Sequence, residues 1–136
     1  MQVDPRSTRF SAVITTVVLA LVLLTGNAWL LLAQGVVFAL GVAGASPYGL
    51  IFRRLVRPRL GPPAELEDST PPRFAQGVGL VFALAGLIGF AAQITVLALV
   101  ATAAALLAAF LNAAFGFCLG CEMYLIIRRL MPAATR

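Results

Sequence analysis

The chain has 136 residues, 61% hydrophobic and 11% charged, with no histidine and no lysine, so its net charge of +5 comes from arginine alone. Roughly 25% charged residues is usual for a soluble domain, and long apolar runs between short charged islands indicate an integral membrane protein of one compact domain. The absence of histidine excludes Ser-His-Asp and Cys-His catalysis and every His-ligated metal site; two cysteines are too few for a disulfide framework. No glycine-rich loop precedes a helix in the phosphate-cradling pattern. The arginines flank apolar runs, which the positive-inside rule explains without a nucleic-acid partner.

A short polar arm with Asp4, Pro5 and Arg6 opens the chain. The first helix is expected over 9–25, just long enough to cross a hydrocarbon core if Arg9 snorkels. Thr25-Gly26-Asn27 reads as a tight uncharged turn. A second helix over 28–52 follows, with Trp29 as an interfacial anchor, and so short a turn implies an antiparallel hairpin. Pro47, in Ser46-Pro47-Tyr48, removes a backbone hydrogen bond and predicts a kink near the far end of this helix.

Residues 53–73 form the one sizeable hydrophilic segment. It is strongly basic at its start, acidic at Glu65, Glu67 and Asp68, and holds five of the eight prolines. That composition predicts a stiff, extended connector without a fold of its own. A third helix is expected over 74–92, with Gly79, Ala83, Gly86 and Gly89 permitting close helix contact. After an uncharged turn at Gln93, a fourth apolar run extends over 94–127. As one straight helix it would be about 51 Å long, against a core of about 30 Å, so it must tilt, protrude or break. Gly116 and Gly120 are the expected weak points. Ala101, Ala105, Ala109 and Ala113 recur every four residues as a packing stripe.

The halves resemble each other. Arg9-Phe10 opens the first hairpin and Arg73-Phe74 the second; Phe52-Arg53-Arg54-Leu55 closes the first and Ile127-Arg128-Arg129-Leu130 the second. This suggests duplicated hairpins related by an axis along the membrane normal, and aligning the paired arginines sets Ser46-Pro47 against Cys121-Glu122. All ten arginines lie in the arm, the connector or the C-terminal tail. The fold expected is therefore an all-α, four-transmembrane-helix bundle of two hairpins in the bacterial plasma membrane, with both termini and the connector cytoplasmic.

The chemistry concentrates in Phe115-Gly116-Phe117-Cys118-Leu119-Gly120-Cys121-Glu122-Met123-Tyr124. Both cysteines lie here at a Cys-x-x-Cys spacing, beside the only acid outside the arm and the connector. An i,i+3 separation keeps two alpha carbons within disulfide reach. A helix beginning near Cys118 would favour its thiolate and make it the nucleophile, with Cys121 resolving. Glu122 would tune protonation or pair with Arg128 or Arg129. Asn112 is a candidate lining residue, Tyr124 an interfacial aromatic near the site, and Ser46 the first-half counterpart of Cys121. The competing readings are that the cysteines pack as small apolar residues, or that Cys118 and Cys121 hold a soft ion such as Cu(I) in a small transporter or sulfur-species handler. No cofactor is expected; the bilayer is one partner and a homo-oligomer a second.

Cys118-Leu119-Gly120-Cys121-Glu122-Met123-Tyr124 resembles the signature of an uncharacterised bacterial membrane family known only as a domain of unknown function, and the opening with Asp4, Arg9 and Ala12 is similar to that family's start. Actinobacterial members of this family are often encoded near thioredoxin-like proteins and rhodanese-type sulfurtransferases. The resemblance thus implies thiol–disulfide or sulfane-sulfur exchange with a cytosolic partner of one of those kinds.

Overall fold

In a computed structural model of the chain, residues 2–3, 5–45, 47–60, 67–68 and 70–130 are described. Helix α1 spans Pro5–Thr25 and α2 spans Ala28–Val42; between them Asn27 caps α2, its side-chain oxygen accepting the Trp29 N–H at 2.9 Å. After α2 come α3 (Pro47–Ile51), a π-helical turn over Phe52–Val56, and α4 (Arg57–Leu60). The second hairpin consists of α5 (Thr70–Ala91) and α6 (Thr95–Phe115), and α7 (Leu119–Leu130) follows.

Each long helix packs on two others: α1 on α2 and α6, α5 on α2 and α6, with α7 laid against α5. The four thus close into a ring. The core of this ring mixes small and large residues. Ala12, Ala83, Ala98, Ala101 and Ala105 are buried beside Leu19, Val22, Leu31, Phe38 and Phe52, while Val17, Leu24, Val81, Ile88, Val96, Val100 and Leu107 face outward. So many large apolar side chains on the outside depart from a soluble bundle, in which they go inside. It is the pattern of helices that approach closely through small residues and offer their large ones to lipid. Among the described residues three helices, Arg6–Thr25, Pro72–Ala91 and Thr95–Phe115, are long and apolar enough to cross a membrane. Four qualify if the bent pair Ala28–Val42 and Pro47–Val56 is one span.

Several expected boundaries shift. The second helix stops at Val42 and resumes at Pro47 with a bend of 76°. Gly44 (φ 86°) turns the chain, and Pro47 sits at the first helical position, where its missing N–H costs nothing. The connector is not wholly without structure: it stays helical through Leu60, and Glu67–Asp68 pairs antiparallel with Gln2–Val3. Its middle, residues 61–66, lies outside the described residues, as do Ser46 and Asp4. The fourth run is two helices, α6 and α7, broken at Gly116–Cys118.

The likeness of the two halves extends to specific contacts. Arg73, on α5, donates from Nε to the Val42 carbonyl at the end of α2 (2.9 Å). Arg9, on α1, donates from Nη2 to the Ala113 and Ala114 carbonyls at the end of α6 (3.1 and 3.4 Å). Each hairpin's first helix therefore caps the other hairpin's second helix, where unpaired carbonyls and the negative end of the helix dipole favour a cation. Phe10 meets the Phe52 ring at 5.7 Å, and Phe74 meets the Tyr124 ring at 5.6 Å. These pairs, with the left-handed Gly44 and Gly116, align Phe52 with Tyr124. That correspondence differs by three positions from the one based on the paired arginines, and it sets position 46 against Cys118.

Candidate functional site

The site begins where α6 ends. Gly116 adopts the left-handed conformation (φ 69°), and its N–H donates to the Asn112 carbonyl at 2.9 Å, closing the helix with an αL cap. Glycine takes this conformation without the clash a Cβ brings. Cys118 comes two residues later and α7 starts immediately after it. The Cys118 carbonyl accepts the Glu122 N–H at 3.0 Å, the first bond of α7. Its Sγ accepts the Cys121 N–H at 3.1 Å. Cys118 thus sits at the N-cap, with sulfur where serine or aspartate would place oxygen.

Cys118 and Cys121 are joined by a disulfide, with alpha carbons 5.2 Å apart, and both residues are half-buried. What fixes the pair against the bundle is Gly120. A Cβ built there would lie 2.5 Å from both Cα and Cβ of Ala75, so only a bare backbone lets α7 come this close to α5. The Phe74–Tyr124 ring contact lies one turn further on. Arg128 Nη1 makes a long contact of 3.5 Å to the Tyr124 hydroxyl. Glu122 is exposed in the first turn of α7, a favourable place for a carboxylate beside the positive end of a helix.

A cavity of about 350 Å³ lies between the helices and the disulfide. Cys118 and Asn112 are on its wall; Cys121, Glu122 and Tyr124 are not. Among the described residues no charged side chain lines it. Among the described residues no group of three or more acidic, cysteine or histidine side chains is placed to hold a metal ion, so the cysteine pair brings two ligands by itself.

The residues sequence reasoning passed over reach this cavity through Thr15. Gln34 on α2 is 1% exposed; its Nε2 donates to Thr15 Oγ1 (3.3 Å), and its Oε1 accepts from the Tyr48 hydroxyl (2.8 Å). Thr15 lines the cavity. The signal was present: between Asn27 and Gln76, Gln34 is the one side-chain amide, and a polar side chain inside an apolar helix needs a partner.

A family model described as a domain of unknown function, DUF4395, matches residues 3–129. The chain belongs to that family. The match takes in both hairpins and the cysteine segment, from the residue before Asp4 to Arg129. No curated protein and no solved structure matches the chain.

Proposed function

We propose that this DUF4395 member is an integral protein of the bacterial plasma membrane. Its termini and connector lie on the cytoplasmic side, and it carries a redox-active Cys118–Cys121 pair for thiol–disulfide or sulfane-sulfur exchange with a soluble thioredoxin-like or sulfurtransferase partner. The observation that carries the reading is the disulfide at the N-terminus of α7, with a backbone N–H aimed at Cys118 Sγ. A sulfur in that position is favoured as thiolate, the form that attacks and the form that leaves. The guanidinium of Arg9, whose side chain comes within 4.0 Å of where a Gly116 Cβ would be, adds positive charge close by.

In the exchange, a partner thiolate attacks one sulfur of the pair, the S–S bond breaks, and the other sulfur leaves as thiolate. The partner's second thiol then displaces the first mixed disulfide, so the partner is oxidised and the pair reduced. In the persulfide variant, reduced Cys118 takes the terminal sulfur from a partner persulfide. Cys121 then attacks Cys118 and expels hydrosulfide as the disulfide closes again. Glu122 stands one residue from Cys121 and is exposed.

The reading is tested by thiol trapping of the purified protein across a graded dithiothreitol or glutathione buffer. A reversible two-electron step between the cytosolic glutathione potential and that of thioredoxin is expected. A pair that stays oxidised well below the thioredoxin potential is a static staple, and the exchange reading then goes. Stoichiometric Cu(I) retention abolished by Cys118→Ser or Cys121→Ser, without a reversible redox step, favours ion handling instead.

A further inference from the structure

We infer that the cavity behind Cys118 is a binding site for a neutral, lipid-soluble two-electron carrier of the quinone class, which exchanges electrons with the cysteine pair. The inference rests on the redox reading above and names the second substrate of that same site.

The wall decides the class of ligand. With no charged side chain among the described residues of its wall, the cavity offers nothing there to compensate the desolvation of an anion such as thiosulfate or a glutathione carboxylate. A volume of about 350 Å³ is that of a small-molecule site. The ligand is therefore neutral and largely apolar. To react with a dithiol it must also take up two electrons and two protons, which among neutral apolar molecules is the chemistry of a quinone ring.

The polar groups on the wall fit that ring. Thr15 is 6% exposed, and its Oγ1 already accepts from Gln34. Gln34 is in turn held by Tyr48. Every bond in this chain runs toward the cavity, so the Thr15 proton is left to donate to an acceptor inside it. A buried hydroxyl with one proton to give suits a carbonyl oxygen. Asn112 is also on the wall, with an amide that can donate to a second carbonyl, and Thr8 and Gln76 are its other polar side chains among the described residues. The rings of Phe38 and Phe82 face the same space, and flat rings are the preferred neighbours of another flat ring.

The step balances. Cys118 and Cys121 in the dithiol form lose two S–H bonds and gain one S–S bond. The two electrons and two protons released convert the two quinone carbonyls to hydroxyls. The dithiol is oxidised and the quinone reduced to quinol; the reverse reaction reduces the disulfide.

Purified full-length protein in lipid nanodiscs, reduced and held without oxygen, is mixed with decylubiquinone, whose fully substituted ring resists direct addition of thiols. Disulfide formation is expected to saturate with quinone concentration and to give one quinol per protein. Thr15→Val should raise the half-saturating concentration about tenfold, the loss of one buried hydrogen bond, and Thr15→Ser should restore it. Ala108→Phe, which fills the cavity from α6, should abolish saturation. In each variant the exchange rate with thioredoxin is measured in parallel. Saturable reoxidation that responds to these substitutions supports the site. A rate linear in quinone and equal in all variants overturns it, as does a cavity occupied only by a lipid acyl chain that decylubiquinone does not displace. If thioredoxin exchange persists while quinone reoxidation is absent, the carrier assignment alone fails. If neither occurs, the redox reading fails with it.

Discussion

Cys118 and Cys121 are adjacent turns of one motif, yet they are not equivalent. Cys118 lines the cavity and its sulfur takes the capping bond; Cys121 supplies the N–H for that bond and lies off the cavity wall. Single-cysteine variants should show the difference. In Cys121→Ser, the remaining Cys118 thiol is expected to react with iodoacetamide about tenfold faster at neutral pH than Cys121 does in Cys118→Ser, since only the thiolate alkylates. Equal rates in the two variants mean that the cap confers nothing on the free thiol. Gly120 sets the second test at this scale. Gly120→Val places a branched side chain into the Ala75 backbone, and the overlap should lower stability by about 1–3 kcal/mol. Faster reduction of the disulfide by dithiothreitol should accompany a lowered melting temperature, because α7 can no longer seat on α5. Unchanged melting with unchanged reduction would refute the contact. The cysteine spacing and the adjoining acid were legible as a unit because so few polar residues compete with them in this chain. Gln34, Thr15 and the cavity were not legible, since contact between α1 and α2 depends on which face each helix turns inward.

At the scale of elements, long apolar helices were legible and their ends were not: among the described residues three are long enough to cross a membrane, or four if the bent pair Ala28–Val42 and Pro47–Val56 is one span. The fourth run was visibly too long for one span, and Gly116 was one of two glycines at which it could yield. The choice fell on Gly116 because it takes a left-handed φ, whereas Gly120 stays helical and serves the close approach to Ala75. Those are two different uses of a missing Cβ, and spacing alone does not separate them. The paired capping arginines make a sharper prediction. Arg9→Ala and Arg73→Ala remove equivalent bonds between hairpins, and each should lower stability by about 1 kcal/mol, a typical value for a cation on helix carbonyls. Only Arg9 stands beside the Gly116–Cys118 break. Arg9→Ala should therefore also slow thiol exchange, while Arg73→Ala should lose stability without that change. Thermal unfolding and thioredoxin exchange, measured on both variants, separate the two effects. At the opposite turn Gln93 has a positive φ of 59°, which costs a residue with a Cβ about 1 kcal/mol or more. Gln93→Gly is expected to raise the melting temperature, and a fall would show that the Gln93 side chain makes up for its backbone.

For the whole molecule, the repeat and the charge distribution constrain each other. A two-fold relation between hairpins puts the starts of α1 and α5 and the ends of α2 and α6 at one end of the bundle. The capping bonds of Arg9 and Arg73 show those termini meeting there. The same end carries the break before α7 and its disulfide, while the turns at Gly26-Asn27 and Gln93 lie at the other end and hold no charge. The arginine pairs suggest the repeat, but they align its halves three positions away from the correspondence of the ring contacts and the left-handed glycines. Arginine placement then predicts which end faces the cytoplasm. A green fluorescent protein fused after Arg136 should fluoresce and an alkaline phosphatase fused there should be inactive, each reporting the compartment it folds in. Phosphatase inserted after Gly26 should be active. A charge test makes the outcome causal. Moving positive charge to the turns, as Asn27→Arg with Gln93→Arg, and removing it from Arg53, Arg54, Arg128 and Arg129 should weaken the preference, so that both reporters give mixed signals. If the fusion after Arg136 is active as a phosphatase in the unaltered chain, the disulfide faces the oxidising compartment. A cytosolic thiol partner could then not reach it, and a folding-type oxidant or reductant outside the cell would have to take its place.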